Sequence, residues 1–178
     1  LKKDEDNLAS FYLLQIKPLV CHEDSYTIEE GDIHEDELVV FSERSMGNGK
    51  IEDIYDVVFV DKDKFDNSKT LEMTYEIEKL NSKFHEQGKR YVLIGPGRWG
   101  TRDKFIGIPV AWSQISSAKV IVEVGLEHFP LDASLGSHFF HNVTSMNVGY
   151  LSVSNNSTKN KINWEKLEKQ KVIEETEH

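Results

Sequence analysis

Tyr91–Asp103, Y-V-L-I-G-P-G-R-W-G-T-R-D, decides how this chain is read. Its first four residues, Tyr91, Val92, Leu93 and Ile94, form an apolar, β-prone run. That run stops at a loop with three glycines, Gly95, Gly97 and Gly100. Just upstream, Asp66-Asn67-Ser68 offers helix caps before Lys69. Leu71, Ile77, Leu80 and Phe84 then recur at helical spacing, and Gly88 ends the pattern. A helix leading directly into an apolar strand is a helix–strand unit. Strands and helices alternate along the rest of the chain, which predicts an α/β fold, a mixed sheet flanked by a few helices.

The loop also carries chemistry. Arg98 and Arg102 contribute guanidinium groups and Thr101 a hydroxyl. Glycine lets backbone approach a ligand closely, and exposed N–H groups with arginines suit a phosphate or carboxylate. Gly95, Gly97, Arg98, Gly100, Thr101 and Arg102 are therefore the expected anion-binding residues. Gly95-x-Gly97-x-x-Gly100 formally matches the dinucleotide fingerprint, but that motif needs a helix starting inside the glycine run. Here Pro96 separates the first two glycines, and Lys104–Val110, with Gly107 and Pro109, reads as a turn leading to another strand. A nicotinamide or flavin site is not expected. The plainer alternative is a tight turn that uses its glycines for geometry, with Trp99 packed on the core and the arginines in water.

Working outward, Leu8–Val20 reads as a strand ending near Pro18. Glu37–Glu43 and Ile54–Val60 are strands joined through the turn chemistry of Ser45–Gly49, as a hairpin or an open β-arch. Ile108–Trp112 and Val120–Val124 are strands separated by one helical turn within Ser113–Ala118. Gly136–Asn147 is a short helix with Phe139, Phe140 and Val143 on one face. Val148–Val153 is a further strand. Trp164–Lys171 is helical, with Glu165 and Lys169 at the favourable i,i+4 spacing. Val172–Glu177 reads as a last edge strand. The domain plan is an acidic linker over 21–37, an α/β core over 38–153 and a C-terminal extension over 154–178.

At 178 residues, with 38% hydrophobic and 29% charged positions, the composition is that of one globular domain. A net charge of -10 argues against nucleic acid as a partner, because phosphate backbones need a basic face. The single cysteine, Cys21, excludes an internal disulfide and fits a reducing compartment. No run is long enough to span a bilayer, so the expectation is a cytoplasmic protein without a membrane partner. Leu1 in place of methionine suggests a piece of a longer protein. The acidic block Cys21–Glu37, with His22 and His34 within it, matches no metal-ligand spacing and reads as a solvated linker.

A second constellation is Asp132–Gly149, D-A-S-L-G-S-H-F-F-H-N-V-T-S-M-N-V-G. His138 follows Gly136-Ser137 where the short helix would begin. A histidine there lies near unsatisfied N–H groups and the positive end of a helix dipole, a setting that suits a phosphoryl acceptor. His141, three residues on, shares its face. A metal held by both histidines with Asp132 or Glu127 lacks a third clear ligand, so none is expected. In the plainer alternative Phe139, Phe140 and Val143 bury the helix, and the histidines hydrogen-bond locally.

Three stretches carry a family likeness: F-Y-L-L-Q-I-K-P-L-V at Phe11–Val20; L-I-G-P-G-R-W-G-T at Leu93–Thr101 with G-I-P-V at Gly107–Val110; and D-A-S-L-G-S-H-F-F at Asp132–Phe140. Over roughly Phe11 to Val153 the chain resembles the C-terminal part of bacterial phosphoenolpyruvate synthase-like proteins, which carry a pyruvate phosphate dikinase-type ATP/pyruvate-binding domain. The first stretch is similar to the closing strand of the family's ATP-grasp domain, usually L-Q-x-R-P. Gln15 matches it, and Lys17 stands where the pattern has arginine. The resemblance makes 1–20 the closing strand of an upstream ATP-grasp domain and implies a swivelling β/β/α-type domain after it. In the well-studied members a histidine in Thr-x-His-Ala-Ala carries phosphoryl from ATP to pyruvate. Ser137-His138 is the nearest match, with Phe139 and Phe140 in place of the alanines. The implied function is the C-terminal domain of a phosphotransferase that binds or relays a phosphoryl-bearing group. Its implied partners are the upstream ATP-grasp domain and a phosphorylated small molecule. ATP and magnesium belong to the full-length parent and no cofactor to this segment. The alternative is a non-catalytic docking or regulatory module that binds an anionic metabolite.

Overall fold

The computed structural model describes residues 2–3, 9–10, 31, 34–47, 49–129, 131, 143, 146–155 and 158–178. In chain order its strands are β1 (Lys2–Lys3), β2 (Ala9–Ser10), β3 (Val40–Phe41), β4 (Arg44–Met46), β5 (Asp56–Phe59), β6 (Tyr91–Pro96), β7 (Arg98–Trp99), β8 (Gly107–Ile108), β9 (Ala118–Val124), β10 (Gly149–Val153) and β11 (Lys161–Ile162). Among the described residues they are accompanied by the α-helices α1 (Thr70–Glu86) and α2 (Trp164–Glu168).

The Asp66 carboxylate accepts the Ser68 N–H at 2.8 Å and caps a 3₁₀ turn over Asn67–Lys69 that runs into α1. This meets a donor that the start of a helix leaves unpaired. At the other end the Gly88 and Lys89 N–H groups donate back to the His85 and Phe84 carbonyls, and the chain enters β6.

β5, β6, β9 and β10 lie side by side and parallel, and β4 adds an antiparallel edge beside β10. The order β4-β10-β9-β6-β5 puts the two longest strands, β6 and β9, inside. Buried on both faces, they read as apolar runs rather than as strict alternation. Tyr91 and Leu93 of β6 and Ile121 of β9 join Met73 and Ile77 of α1 in one core. Ile94, Val122 and Val124 face the other way and pack with Leu167 of α2, with the half-buried Val40 of β3 and Ile162 of β11 against them. The fold is therefore α/β, a mixed sheet with a few helices.

A polar node ties α1 to the sheet. Asn81, 4% exposed, accepts the Tyr91 hydroxyl at 3.1 Å and the Ser117 N–H at 2.9 Å. Its amide donates to the Ser113 carbonyl at 3.3 Å and to Ser116 Oγ at 3.2 Å.

Several expectations change. The strands at Glu37–Glu43 and Ile54–Val60 form neither a hairpin nor an arch: β3 pairs with β11, while β5 pairs with β6 at the sheet edge opposite β4. Ser45 and Met46, read as turn residues, belong to β4, where β10 supplies their hydrogen-bonding partner. Beyond Ile108 the chain enters a 3₁₀ turn at Trp112–Ile115 rather than continuing as a strand. Leu71 is 49% exposed, and Met73 fills the core instead. Helix α2 stops at Glu168, and Val172–Glu177 forms no strand. That tail rests on side-chain contacts, Glu175 with Lys64 and Glu174 with Lys83. Of the predicted strand over Leu8–Val20, only Ala9 and Ser10 fall within the described residues.

Candidate functional site

The glycine loop leaves the carboxyl end of β6 and folds back beside the end of β9. Gly97 and Gly100 adopt positive φ, +67° and +70°. Four consecutive N–H groups then point at protein acceptors. Gly97 donates to the Val124 carbonyl at 2.8 Å, Arg98 to Ile106 at 3.0 Å and Gly100 to Ile108 at 2.9 Å. Trp99 donates to Glu123 Oε1 at 3.0 Å. Arg98 and Trp99 form β7, parallel to Gly107 and Ile108 of β8. Close approach of the two backbones requires Gly107, because a Cβ there would stand 2.0 Å from the Arg98 carbonyl oxygen. Thr101 Oγ1 accepts the Asp103 N–H at 3.1 Å, and Asp103 accepts from Phe105 at 2.9 Å.

Trp99 is buried and its indole donates Nε1–H to the Val122 carbonyl at 3.1 Å. Glu123 lies one residue further along β9. It is 4% exposed, and both carboxyl oxygens are engaged, Oε1 by the Trp99 N–H and Oε2 by the Tyr150 hydroxyl. Burial pushes its carboxyl above the usual carboxylate range. The Tyr150 hydroxyl, the Trp99 N–H and the Arg98 charge act in the opposite sense. Burial, then the charge and hydrogen bond of Glu123, push the Tyr150 phenol up, so it stays a donor. Arg98 is half-buried, and its charge acts on both groups.

The structure thus brings together Arg98, Trp99, Glu123 and Tyr150. Gly95, Gly97 and Gly100 shape the turn, Thr101 is half-buried within it and Arg102 is exposed. The glycines and Trp99 follow the plainer sequence reading, a turn built on the core. The expected contribution of loop N–H groups to an anion site does not survive at Gly97, Arg98, Trp99 and Gly100, because each is spent on a protein acceptor. The loop is accordingly no cradle for a triphosphate. Glu123 and Tyr150 were missed from sequence, although one acid inside the apolar run V-I-V-E-V was a signal.

His138, Gln15 and Lys17 lie outside the described residues, as do His141 and Asp132. Glu127 is exposed, and among the described residues no group of three or more His, Cys, Asp or Glu could hold a metal. No family model matches the chain, and no curated protein or solved structure matches it either. No helix among the described residues is long and apolar enough to cross a membrane.

A hollow of about 570 Å³ opens at the opposite, amino edge of the sheet, bordered by Asp56, Lys89, Arg90, Trp112 and Lys119. Two of its cations are engaged, Lys89 by Asp56 at 3.5 Å and Lys119 by the Asn147 carbonyl at 2.6 Å. Ligands of open parallel sheets gather at the carboxyl ends of the strands, which favours the Arg98 edge.

Proposed function

We propose that this chain is the C-terminal domain of a phosphoenolpyruvate synthase-like phosphotransferase, and that it binds a phosphoryl-bearing anion at the carboxyl edge of its sheet through Arg98 and Arg102. The observation that carries the reading is a half-buried guanidinium at the end of an interior parallel strand, in a chain of net charge -10. In so acidic a protein a local pair of arginines is what draws an anion. Guanidinium also matches phosphate oxygens in a bidentate geometry that lysine does not offer.

The motif likeness at Leu93–Thr101 and Asp132–Phe140 supports the assignment to a phosphotransferase and makes His138 the proposed phosphoryl acceptor. ATP, magnesium and the upstream ATP-grasp domain belong to the parent protein in this reading, and the location is cytoplasmic. Isothermal titration with phosphoenolpyruvate and pyrophosphate tests the anion site. Arg98→Ala is expected to weaken binding by about 1.5–3 kcal/mol, the worth of a charge-assisted hydrogen bond. Equal affinity in the two proteins would remove the site. In the full-length parent, His138→Ala is expected to abolish an acid-labile phosphoenzyme.

The inward-turned loop N–H groups favour a second reading, a docking or regulatory module that holds an anionic metabolite without reacting with it. Retained affinity without any phosphohistidine in the parent would select it.

A further inference from the structure

We propose that the hollow at the amino edge of the sheet is a second, small-molecule site, and that it takes a planar aromatic anion through Arg90, Lys119, Tyr55 and Trp112. None of these residues belongs to the Arg98 edge.

The hollow has the size of an organic ligand. Small-molecule pockets run from about 300 to about 1,000 Å³, and this one is about 570 Å³. An inorganic ion would fill little of it. Its walls carry apolar surface that the fold leaves in water: Tyr55 is 85% exposed, Met146 57% and Ile51 38%. Single exposed apolar residues are ordinary, but here three border one concavity. Trp112 adds a second aromatic wall and is packed against the core, so its place is fixed. Tyr55 is steadied from its far end, where the hydroxyl donates to Asp53 at 3.2 Å. Aromatic side chains of this kind offer a flat ring both contact area and stacking geometry.

The charges set the sign of the ligand. Three acids border the hollow, and each is engaged. Glu52 meets Lys50 at 2.8 Å, Asp56 meets Lys89 at 3.5 Å, and Asp53 accepts the Tyr55 hydroxyl. The cations are less fully matched. At φ +50° Asn147 presents its carbonyl to Lys119 Nζ at 2.6 Å, which fixes the ammonium without neutralising it. The exposed Arg90 guanidinium has no hydrogen bond or ion pair among the described residues. Its planar fork matches the oxygens of a carboxylate, sulfonate or phosphate. Ser116 also lines the hollow. Its hydroxyl accepts from Asn81 at 3.2 Å and keeps its own hydrogen to donate. Uncommitted donors beside two aromatic side chains thus select a ring that carries an anionic group.

A nitrogen-15 NMR titration tests this, with the indole N–H signal of Trp112 as the reporter inside the hollow. The probes are β-naphthalenesulfonate, β-naphthol, which is uncharged at neutral pH, and sulfate, which has no ring. The sulfonate is expected to shift the Trp112 signal saturably. β-Naphthol, lacking the charge, is expected to bind about tenfold more weakly, and sulfate, lacking the ring, at least about fivefold more weakly. Arg90→Ala is expected to weaken the sulfonate about tenfold and leave β-naphthol unchanged. Tyr55→Ala is expected to weaken both aromatic probes about fivefold. Both residues are exposed, so both variants are expected to fold as the wild type does. Arg98→Ala is expected to bind the sulfonate as the wild type does.

A Trp112 signal that stays fixed up to the solubility limit of the sulfonate overturns the proposal. Equal sulfonate affinity in wild type and Arg90→Ala overturns it too, as does sulfate that binds as tightly as the sulfonate. Loss of the Trp112 response in Arg98→Ala would place the anion at the other edge and overturn it as well. Failure on any of these counts leaves the Arg98 reading to its own titration with pyrophosphate.

Discussion

Trp99 occupies the space over Gly95: a Cβ added at Gly95 would stand 2.3 Å from Cζ2 of the indole and 2.9 Å from Cη2. The first glycine of the loop is thus a gap that admits the Trp99 ring, and the ring in turn is anchored on Val122. The loop is the end of an interior strand folded onto its neighbour, and Arg98 is carried where that fold places it.

Gly95→Ala is accordingly an overpacking substitution. It is expected to cost about 1–3 kcal/mol, read as a lower midpoint in chemical denaturation. In a Trp99→Phe background the smaller ring leaves room, and the added cost of the methyl is expected to shrink. A double-mutant cycle measures that coupling.

Gly107→Ala is expected to be worse, because the obstruction is backbone rather than a movable ring: the Arg98 carbonyl oxygen would lie 2.0 Å away and its nitrogen 2.4 Å. Breaking the β7–β8 pair releases the Arg98 and Gly100 N–H groups from Ile106 and Ile108. Amide hydrogen exchange is expected to lose protection at those two positions first, while α1 keeps its own.

Glu123→Gln is expected to stabilise the protein in neutral and alkaline solution. Because the folded carboxyl titrates above its unfolded value, its contribution to stability is complete below the ordinary carboxylate range and is lost as pH rises through the folded value. Glutamine keeps an acceptor for the Trp99 N–H and never ionises, so it escapes that loss. Its melting temperature is expected to exceed the wild type's near about pH 8, with the gap closing near about pH 4, where Glu123 is protonated. Each 1 kcal/mol gained reads as about 2–4 °C in a chain of this size.

Asn81→Ala is expected to cost about 2–4 kcal/mol, since the Tyr91 hydroxyl and the Ser117 N–H lose their acceptor in a dry place. Tyr91→Phe, which removes one of those donors, is expected to cost about 1 kcal/mol. The two losses are not additive, and thermal denaturation of the double variant measures the difference.

What was legible in the sequence was local. Asp66 as a cap, a helical period and Gly88 as a stop are short-range signals, and α1 follows from them. Tyr91–Ile94, Val120–Val124 and Val148–Val153 read as strands because interior parallel strands are apolar on both faces. What stayed hidden depends on distant partners. Arg44-Ser45-Met46 has no strand signature of its own and is a strand only because β10 lies beside it, with Met46 opposite Tyr150. Helical spacing includes both Leu71 and Ile77, but tertiary packing chose the face that buries Met73. Val172 and Ile173 have the composition of an edge strand, yet they stay 67% and 79% exposed. For the site, the glycines were visible, but their N–H groups looked outward-facing until Val124, Ile106, Glu123 and Ile108 appeared as acceptors. Glu123 was visible as an oddity, and its meaning waited on Trp99 and Tyr150, which come from two other strands.

On the proposed reading an anion binds here through guanidinium side chains and not through loop N–H groups. A nitrogen-15 NMR titration of the protein with pyrophosphate, reading backbone and arginine side-chain N–H signals together, tests it most directly. Saturable shifts are expected in the Nε–H signals of Arg98 and Arg102. The backbone N–H signals of Gly97, Trp99 and Gly100 should move far less, because they donate into the protein. Arginine signals that stay fixed at saturating pyrophosphate, or large shifts led by those backbone amides, would contradict it.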